Sequence, residues 1–169
     1  MATISLSLDE IYKLANKTLL ANGCDQETAD ILSELITNAE RDGSLSHGLF
    51  RLPAYVSGLK SGKINGKQKP DIKKLTPSVI KADGKNCLAP VVLNKSIPEL
   101  VKAAKENGVA VLAIINSHHM AAMWPETEKI AEEGLVAFAC TSYKPAVAPA
   151  GAIKPVSYTH LTLPTRLPV

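Results

Sequence analysis

The stretch that decides the fold is Glu106–Ser142, ENGVAVLAIINSHHMAAMWPETEKIAEEGLVAFACTS. It contains two continuous apolar runs, Val109–Ile115 and Leu135–Cys140, which are typical of strands buried on both faces. The spacing between them predicts a helix over Ala122–Glu133, and Gly134 ends it. A strand, a helix and a second strand in this order predict parallel strands joined by a right-handed crossover. The chain is therefore predicted to have an α/β fold.

A helical portion is predicted at the N-terminus. Ser7 and Glu10 have the spacing of a capping box, so a first helix begins after Ser7 and ends at Gly23. Asp25 is a suitable cap for a second helix, which ends near Asp42. These two helices are expected to form a hairpin.

Four further elements are predicted between the hairpin and the deciding stretch. A third helix begins at about His47 and ends at Gly62. Two short strands follow around Ile72–Leu75 and Ser78–Ala82. Another helix stops at Gly108, which has the position of a C-terminal cap.

Three segments of different character are predicted. Residues 1–66 form the helical N-terminal portion, and residues 67–156 form an α/β portion that binds a cofactor. Residues 157–169, SYTHLTLPTRLPV, have one charge, no glycine and no clear period, and they resemble translated sequencing-adapter read-through. We expect this last segment to be a non-native tail, and a natural divergent tail is the alternative.

Charge and cysteine content exclude several classes of protein. The net charge of the 169 residues is +3 and the basic residues are scattered, which argues against a surface for nucleic acid or membranes. Three widely spaced cysteines, Cys24, Cys87 and Cys140, argue against a disulfide framework and a zinc site. No apolar run reaches the roughly 18 residues that span a bilayer. We predict a cytoplasmic protein that binds neither metal, nucleic acid nor membrane.

The first candidate site is Asp42–Pro53, DGSLSHGLFRLP. On the predicted helix, His47 and Arg51 lie one turn apart on one face, with about 6 Å between their Cβ atoms. Arg51 can hold a carboxylate and His47 can give a proton to a group beside it. Ser46 can cap the helix or hydrogen-bond the imidazole. The alternatives are solvated surface residues, or a hydrolase that uses Ser46 and His47.

The second candidate site is Asn116–Trp124, at the predicted boundary between a strand and a helix. Ligands of open α/β sheets collect at such positions. The small residues Ala121 and Ala122 would let a flat ring or a phosphate approach the backbone. The neighbouring side chains of His118 and His119 point in opposite directions in an extended segment, so they would not chelate one ion. A plain turn is the alternative, and no glycine-rich dinucleotide fingerprint follows any predicted strand.

The two motifs, in this order, resemble the type-2 malate/L-lactate dehydrogenase family, which includes ureidoglycolate dehydrogenase, 2,3-diketo-L-gulonate reductase and Δ1-piperideine-2-carboxylate reductase. The resemblance lies in Asp42–Asn65, Ile115–Ser142 and Ala146–Pro155, with the motif S-H-G-x-x-R-L-P-x-Y followed by N-S-x-H. It implies a fold other than the Rossmann fold, with a helical N-terminal portion and an incomplete mixed sheet.

The resemblance also implies an activity and its residues. The family transfers a hydride between NAD(P)H and a 2-oxo acid or a cyclic imine carboxylate, and its members are homodimers. It implies that His47 donates the proton, that Ser46 belongs to its relay and that Arg51 binds the substrate carboxylate. The residues implied to bind the cofactor, NAD or NADP, are His119, Met120, Ala121, Ala122, Met123, Thr141 and Ser142.

The chain departs from the family pattern at two places. The family usually has an aromatic residue and a glycine at the positions of Met120 and Ala121. After Pro155 the family continues with a segment, a relay aspartate and about half of its length that have no counterpart in this sequence. We therefore expect this chain to be an N-terminal fragment that is poorly soluble or partly unfolded, and inactive. A non-catalytic fragment that binds a 2-oxo acid or a nucleotide is the alternative.

Overall fold

The computed structural model describes residues 4–118, 121–147 and 156–162, with the side chains of 142–147 and 156–162 left aside. The chain divides into two compact units, Met1–Ala122 and Met123–Val169, and each is described by itself. The segment boundaries at residues 66 and 156 stay a prediction.

The first unit contains four α-helices, with caps where the sequence predicts them. Ser7 and Glu10 form the predicted capping box, in which the Glu10 carboxylate accepts the Ser7 backbone N–H at 2.8 Å. The Asp25 carboxylate accepts the Thr28 N–H at 2.9 Å and begins the second helix. The helices are α1 (Leu8–Ala21), α2 (Gln26–Arg41), α3 (Leu52–Lys60) and α4 (Ala89–Asn107).

A three-stranded mixed sheet completes the first unit. Strands β1 (Asp71–Thr76) and β2 (Val79–Asp83) correspond to the two predicted short strands, and they pair in antiparallel fashion. Strand β3 (Val111–Ile115) pairs with β2 in parallel. The crossover between parallel strands is therefore β2-α4-β3, and the predicted fold class, α/β with helices before a mixed sheet, is confirmed.

The prediction that Val109–Ile115 is a strand buried on both faces is wrong. The strand begins at Val111, and its side chains alternate in exposure. Leu112 and Ile114 pack against a cluster that includes Ala82 of β2 and Val92 of α4, whereas Val111 is 54% exposed. The apolar run predicted that every side chain of the strand is buried. In the described ranges, however, α4 covers only one face of β3.

The second unit contains one helix and a two-stranded antiparallel sheet. Its elements are α5 (Trp124–Glu132), β4 (Ala139–Val147) and β5 (Val156–Thr162). The strand predicted at Leu135–Cys140 begins at Ala139, four residues later than predicted. Its pairing with β5 starts only there, where Ala139 lies opposite Thr162. In the second unit β4 pairs with β5, and in the first unit the parallel partner of β3 is β2. The pairings among the described residues are therefore not those predicted for a β-α-β unit around α5. The sequence pattern did not predict β5.

The main core lies among the helices of the first unit. Tyr55 of α3 is 1% exposed and packs in the same cluster as Leu19, Leu32 and Ile36 of the hairpin and Val91 of α4. Each such side chain contributes roughly 1.5–3 kcal/mol when it is removed from water. This core fixes the start of α3, which follows the first candidate site directly. Over the part of the chain that is described, no helix combines the length and apolar character that a membrane crossing requires.

Candidate functional site

The first motif folds into two short 3-10 turns, Leu45–His47 and Leu49–Arg51, followed directly by α3. The prediction of a helix from His47 is wrong, because the backbone at Gly48 has a ψ of −136° and interrupts it. His47 and Arg51 therefore do not lie one α-helical turn apart. Pro53 is the second residue of α3, where its missing N–H costs no hydrogen bond.

Two serine hydroxyls lie within hydrogen-bond distance of one ring nitrogen of His47. The distance from Nδ1 is 3.0 Å to Ser46 Oγ and 3.2 Å to Ser44 Oγ. Ser46 thus contacts the imidazole, and the residue that precedes the turn as its N-cap is Ser44. Ser44 was not identified from the sequence, because the helix was predicted to begin at about His47, with Ser46 as its cap, and Ser44 lay outside it.

Arg51 is the N-cap residue of α3 and is half-buried. Its Nε is buried and has no hydrogen-bond partner among the described residues. A buried donor without a partner costs about 1–3 kcal/mol. The guanidinium is therefore ready to bind an acceptor, and a carboxylate matches its planar donors in bidentate fashion.

Glu40 of α2 holds the link between the two turns. Its Oε1 accepts the Leu49 N–H at 2.7 Å, and a Cβ at Gly48 would lie 2.1 Å from the same oxygen. Only glycine therefore fits at this position without moving the Glu40 carboxylate. The sequence analysis missed Glu40, since nothing in the spacing of an acidic residue on a helix points to a contact nine residues later.

We expect Gly48→Ala to destabilise the first unit by about 1–3 kcal/mol, because the new Cβ displaces the Glu40 carboxylate from the Leu49 N–H. The measurement is the free energy of unfolding from a denaturant titration. The Glu40→Ala variant lacks both the carboxylate that the new Cβ would meet and its hydrogen bond to the Leu49 N–H. In that variant, Gly48→Ala should lower the free energy of unfolding much less. An equal cost in both backgrounds would show that Glu40 does not hold this turn.

The second motif begins with a fixed backbone at the end of β3. Asn116 has a φ of +50°, and its side-chain amide donates to Asp83 Oδ1 at 3.1 Å. Asp83 also accepts the Lys85 N–H at 2.9 Å. The Lys85 backbone bond, followed by the Asn116 bond, lowers the pKa of Asp83, so this carboxylate stays charged and keeps both donors in place.

His118 is held by its backbone against the loop before α4. Its N–H donates to Cys87 O at 2.8 Å, and its carbonyl accepts the Ala89 N–H at 3.0 Å. Both bonds accompany a bridge between His118 and Leu88. The second motif therefore leaves β3 along a defined path. Within the ranges that the structure covers, no three His, Cys, Asp or Glu side chains are grouped so as to hold a metal ion.

The residues implied to bind the cofactor fall into three groups. Two of them, His119 and Met120, lie outside the described residues. In the first unit, Ala121 and Ala122 are buried, with 6% and 3% of their surface exposed. In the second unit are Met123, which is buried, and Thr141 and Ser142, which lie on β4 opposite His160 and Thr159.

Glu126, which the sequence analysis did not single out, lies in the first turn of α5. It is 8% exposed, and its Oε2 has no hydrogen-bond partner among the described residues. Burial raises the pKa of this carboxyl from 4.5 to about 7. A glutamate at this position of a helix is ordinarily a solvated first-turn acid, so the sequence carried no signal of its burial.

We expect the stability of the second unit to fall as the pH rises from about 4.5 to 7. The folded state holds a proton on Glu126 in this interval and the unfolded chain does not, so the free energy of unfolding decreases with pH. The difference between the two pKa values of Glu126 corresponds to a decrease of roughly 3 kcal/mol in the free energy of unfolding. Glu126→Gln should remove this dependence, as measured by unfolding titrations across the interval. Glu128→Gln, a change two residues away, serves as the control, and an unchanged slope in Glu126→Gln would refute the assignment.

Comparison with known proteins places the two motifs in one family. A sequence model of the malate/L-lactate dehydrogenase family matches residues 6–159. Δ1-pyrroline-2-carboxylate reductase of Ancylobacter novellus is 40% identical over 157 residues, which are 93% of this chain and 46% of that protein. (2R)-3-sulfolactate dehydrogenase (NADP+) of Chromohalobacter salexigens is 34% identical over 92% of this chain and 46% of its own length.

Solved structures share the fold. The crystal structure of Δ1-piperideine-2-carboxylate reductase from Pseudomonas syringae pv. tomato superposes with a TM-score of 0.85 at 38% sequence identity. The alignment covers 92% of this chain and 47% of that one. The chain thus spans about half the length of the relatives that it matches. It belongs to the malate/L-lactate dehydrogenase family, as its sequence motifs predicted.

Proposed function

We propose that this chain carries the substrate half of an NAD(P)H-dependent reductase of small cyclic 2-imino carboxylates or 2-oxo acids. The observation that carries the proposal is the buried, unpartnered Nε of Arg51, four residues after a histidine that two hydroxyls orient. One group can hold a carboxylate, and the other can give a proton to the atom that is reduced.

Arg51 anchors the substrate. Its guanidinium has five N–H donors in a fixed plane, and the carboxylate of the substrate accepts two of them in parallel. Because Nε has no hydrogen-bond partner among the described residues, a bond from Nε to the substrate does not break an existing one there. This anchor places the carbon next to the carboxylate, with its C=N or C=O bond, at a fixed distance from α3.

His47 is the proton donor. Its Nδ1 faces the hydroxyls of Ser46 and Ser44, so the proton leaves from the other nitrogen, Nε2. The charged ring gives this proton to the imine nitrogen or the carbonyl oxygen, and it keeps the proton on Nδ1. Ser46 accepts the Nδ1–H bond and holds the ring plane during the transfer.

The residue types of the second motif support a nicotinamide cofactor. Ala121 and Ala122 have small side chains, which would let a flat ring approach their backbone. NAD(P)H, when bound, supplies the hydride. By the family resemblance, the residues that would hold it are His119, Met120, Ala121, Ala122, Met123, Thr141 and Ser142.

Cyclic imine carboxylates are the favoured substrate class. The relatives named above act, by their names, on Δ1-pyrroline-2-carboxylate, Δ1-piperideine-2-carboxylate and sulfolactate. The first two are the more similar to this chain, at 40% and 38% identity. We further propose that the protein is cytoplasmic and forms a homodimer. Light scattering of the purified protein tests the homodimer. The basis for this assembly is the family resemblance.

Exposed apolar side chains and the greater length of the relatives support a further proposal about this chain. The apolar side chains of Val136 and Phe138 are 91% and 59% exposed, and the relatives are about twice as long. We propose that the 169-residue chain alone does not turn over and that catalysis belongs to a protein of the relatives' length. The alternative is a non-catalytic fragment, for which a 2-oxo acid or a nucleotide would raise the melting temperature without NAD(P)H oxidation.

A hydrolase is the second candidate, since Ser46 Oγ lies 3.0 Å from a histidine nitrogen. An activated serine of this kind reacts with fluorophosphonates. Labelling of Ser46 that disappears in His47→Gln would favour a hydrolase. The reductase proposal expects no labelling of Ser46.

The test of the reductase proposal is a substrate panel. The product of the gene's full reading frame is assayed for oxidation of NADH and NADPH with Δ1-pyrroline-2-carboxylate, Δ1-piperideine-2-carboxylate, pyruvate and oxaloacetate. We expect the highest kcat/KM with one of the two imines. A folded protein that oxidises neither cofactor with any of the four compounds would contradict the proposal.

A further inference from the structure

A second hydroxyl, that of Ser44, lies at Nδ1 of His47 beside the hydroxyl of Ser46. Ser44 Oγ lies 3.2 Å from Nδ1, and Ser46 Oγ lies 3.0 Å from the same atom. A neutral Nδ1 has one lone pair and accepts one well-aligned hydrogen bond. A protonated Nδ1–H, in contrast, can be shared between two oxygen acceptors at such distances.

The position of the Ser44 hydroxyl is set by the backbone. The Ser44 N–H donates to Ala39 O at 2.8 Å, and the Ser44 carbonyl accepts the His47 N–H at 2.8 Å. The Ser44 side chain makes no capping hydrogen bond to the turn. The hydroxyl is therefore not needed to form the turn, and its substitution should leave the backbone in place.

We propose that Ser44 is a second positioning residue for His47, which shares the Nδ1–H hydrogen bond with Ser46. This inference rests on the proposed function, in which Nε2 gives up its proton while Nδ1 keeps its own. Two acceptors on Nδ1 favour the neutral ring that carries its proton on Nδ1, which is the form left after the transfer. They also fix the ring plane, and so the direction in which Nε2 points.

The test is nitrogen-15 NMR of the His47 ring in the 169-residue chain, which reports where the neutral ring carries its proton. We expect the proton on Nδ1 in the wild-type chain, a partial shift to Nε2 in Ser44→Ala and in Ser46→Ala, and a larger shift in the double variant. Ser44→Cys, which keeps the size but accepts hydrogen bonds weakly, should match Ser44→Ala. Ser57→Ala, at an exposed position on α3, is the control.

The inference is overturned if the neutral ring of the wild-type chain carries its proton on Nε2. It is also overturned if Ser44→Ala and Ser44→Cys leave the position of this proton unchanged both in the wild-type chain and in the Ser46→Ala variant. A kinetic readout on the product of the full reading frame separates it from the proposed function. There, Ser44→Ala should lower kcat with KM little changed, because the ring of His47 is less well oriented. If the protein is folded and inactive but gives the expected NMR result, the proposed reductase function is contradicted and the role of Ser44 is not. If the protein is active and Ser44→Ala does not change its kcat, the role of Ser44 is contradicted and the reductase function is not.

Discussion

His47→Gln is expected to lower kcat for imine or 2-oxo acid reduction by roughly 100- to 10,000-fold, which is the usual contribution of a positioned proton donor. Glutamine has a similar length but carries no transferable proton near neutral pH. The carboxylate anchor at Arg51 is untouched, so KM should change by no more than a few-fold. Steady-state kinetics on the product of the full reading frame measures both constants.

The control for this prediction is Leu45→Gln, which introduces the same residue at an exposed position of the same 3-10 turn. Its kcat should equal that of the wild-type enzyme. If His47→Gln retains wild-type kcat at every pH, the proton comes from another group and the role assigned to His47 is wrong.

Arg51→Leu is expected to lower kcat/KM by roughly 100-fold or more, mainly through KM. The loss follows from two charge-assisted hydrogen bonds to the substrate carboxylate, each of which contributes about 1.5–3 kcal/mol. Arg51→Lys should recover only a part, because an ammonium group keeps the charge but not the planar pair of donors.

Lys60→Leu, which removes an exposed positive charge at the end of the same helix, is the matched control and should leave KM unchanged. A titration of pyrrole-2-carboxylate, a flat ring with the same carboxylate but no reducible bond, separates binding from turnover. Equal affinity of this compound for wild-type and Arg51→Leu protein would mean that the carboxylate binds elsewhere.

Local signals in the sequence predicted the first two helices well. The capping box of Ser7 and the cap at Asp25 give the starts of α1 and α2, since caps act within four residues. The pairing of strands is a property of distant residues, and there the sequence was misleading. The run at Val109 and the run at Leu135 were predicted to be parallel strands of one β-α-β unit, but in the first unit β3 pairs with β2 and in the second unit β4 pairs with β5.

The candidate site was predictable in its residue types but not in its backbone. The contact between Ser46 and His47 was one of the two possibilities drawn from the motif, and the structure shows it at 3.0 Å. The 3-10 turns depend on Glu40, through its bond to the Leu49 N–H, and this contact depends on the packing of α2. Ser44 directly precedes the first of these turns, so its contact with His47 could be identified only from the structure.

Other interpretations stay predictions. The cofactor roles of His119 and Met120 fall outside the described residues, and nothing in the fold bears on them. The origin of residues 157–169 is likewise a prediction. Residues up to Thr162 pair with β4, and the family match extends to residue 159. Sequencing of the gene through these codons decides between a read-through tail and a natural end.

The most direct test of the central claim compares Δ1-pyrroline-2-carboxylate with Δ1-pyrroline, the same ring without its carboxylate. The measurement is NAD(P)H oxidation by the product of the full reading frame. If Arg51 anchors the carboxylate while His47 protonates the ring nitrogen, oxidation is rapid with the first compound and slower by roughly 100-fold or more with the second. Equal rates with both compounds, or no oxidation with the carboxylated ring by a folded protein, would contradict the account.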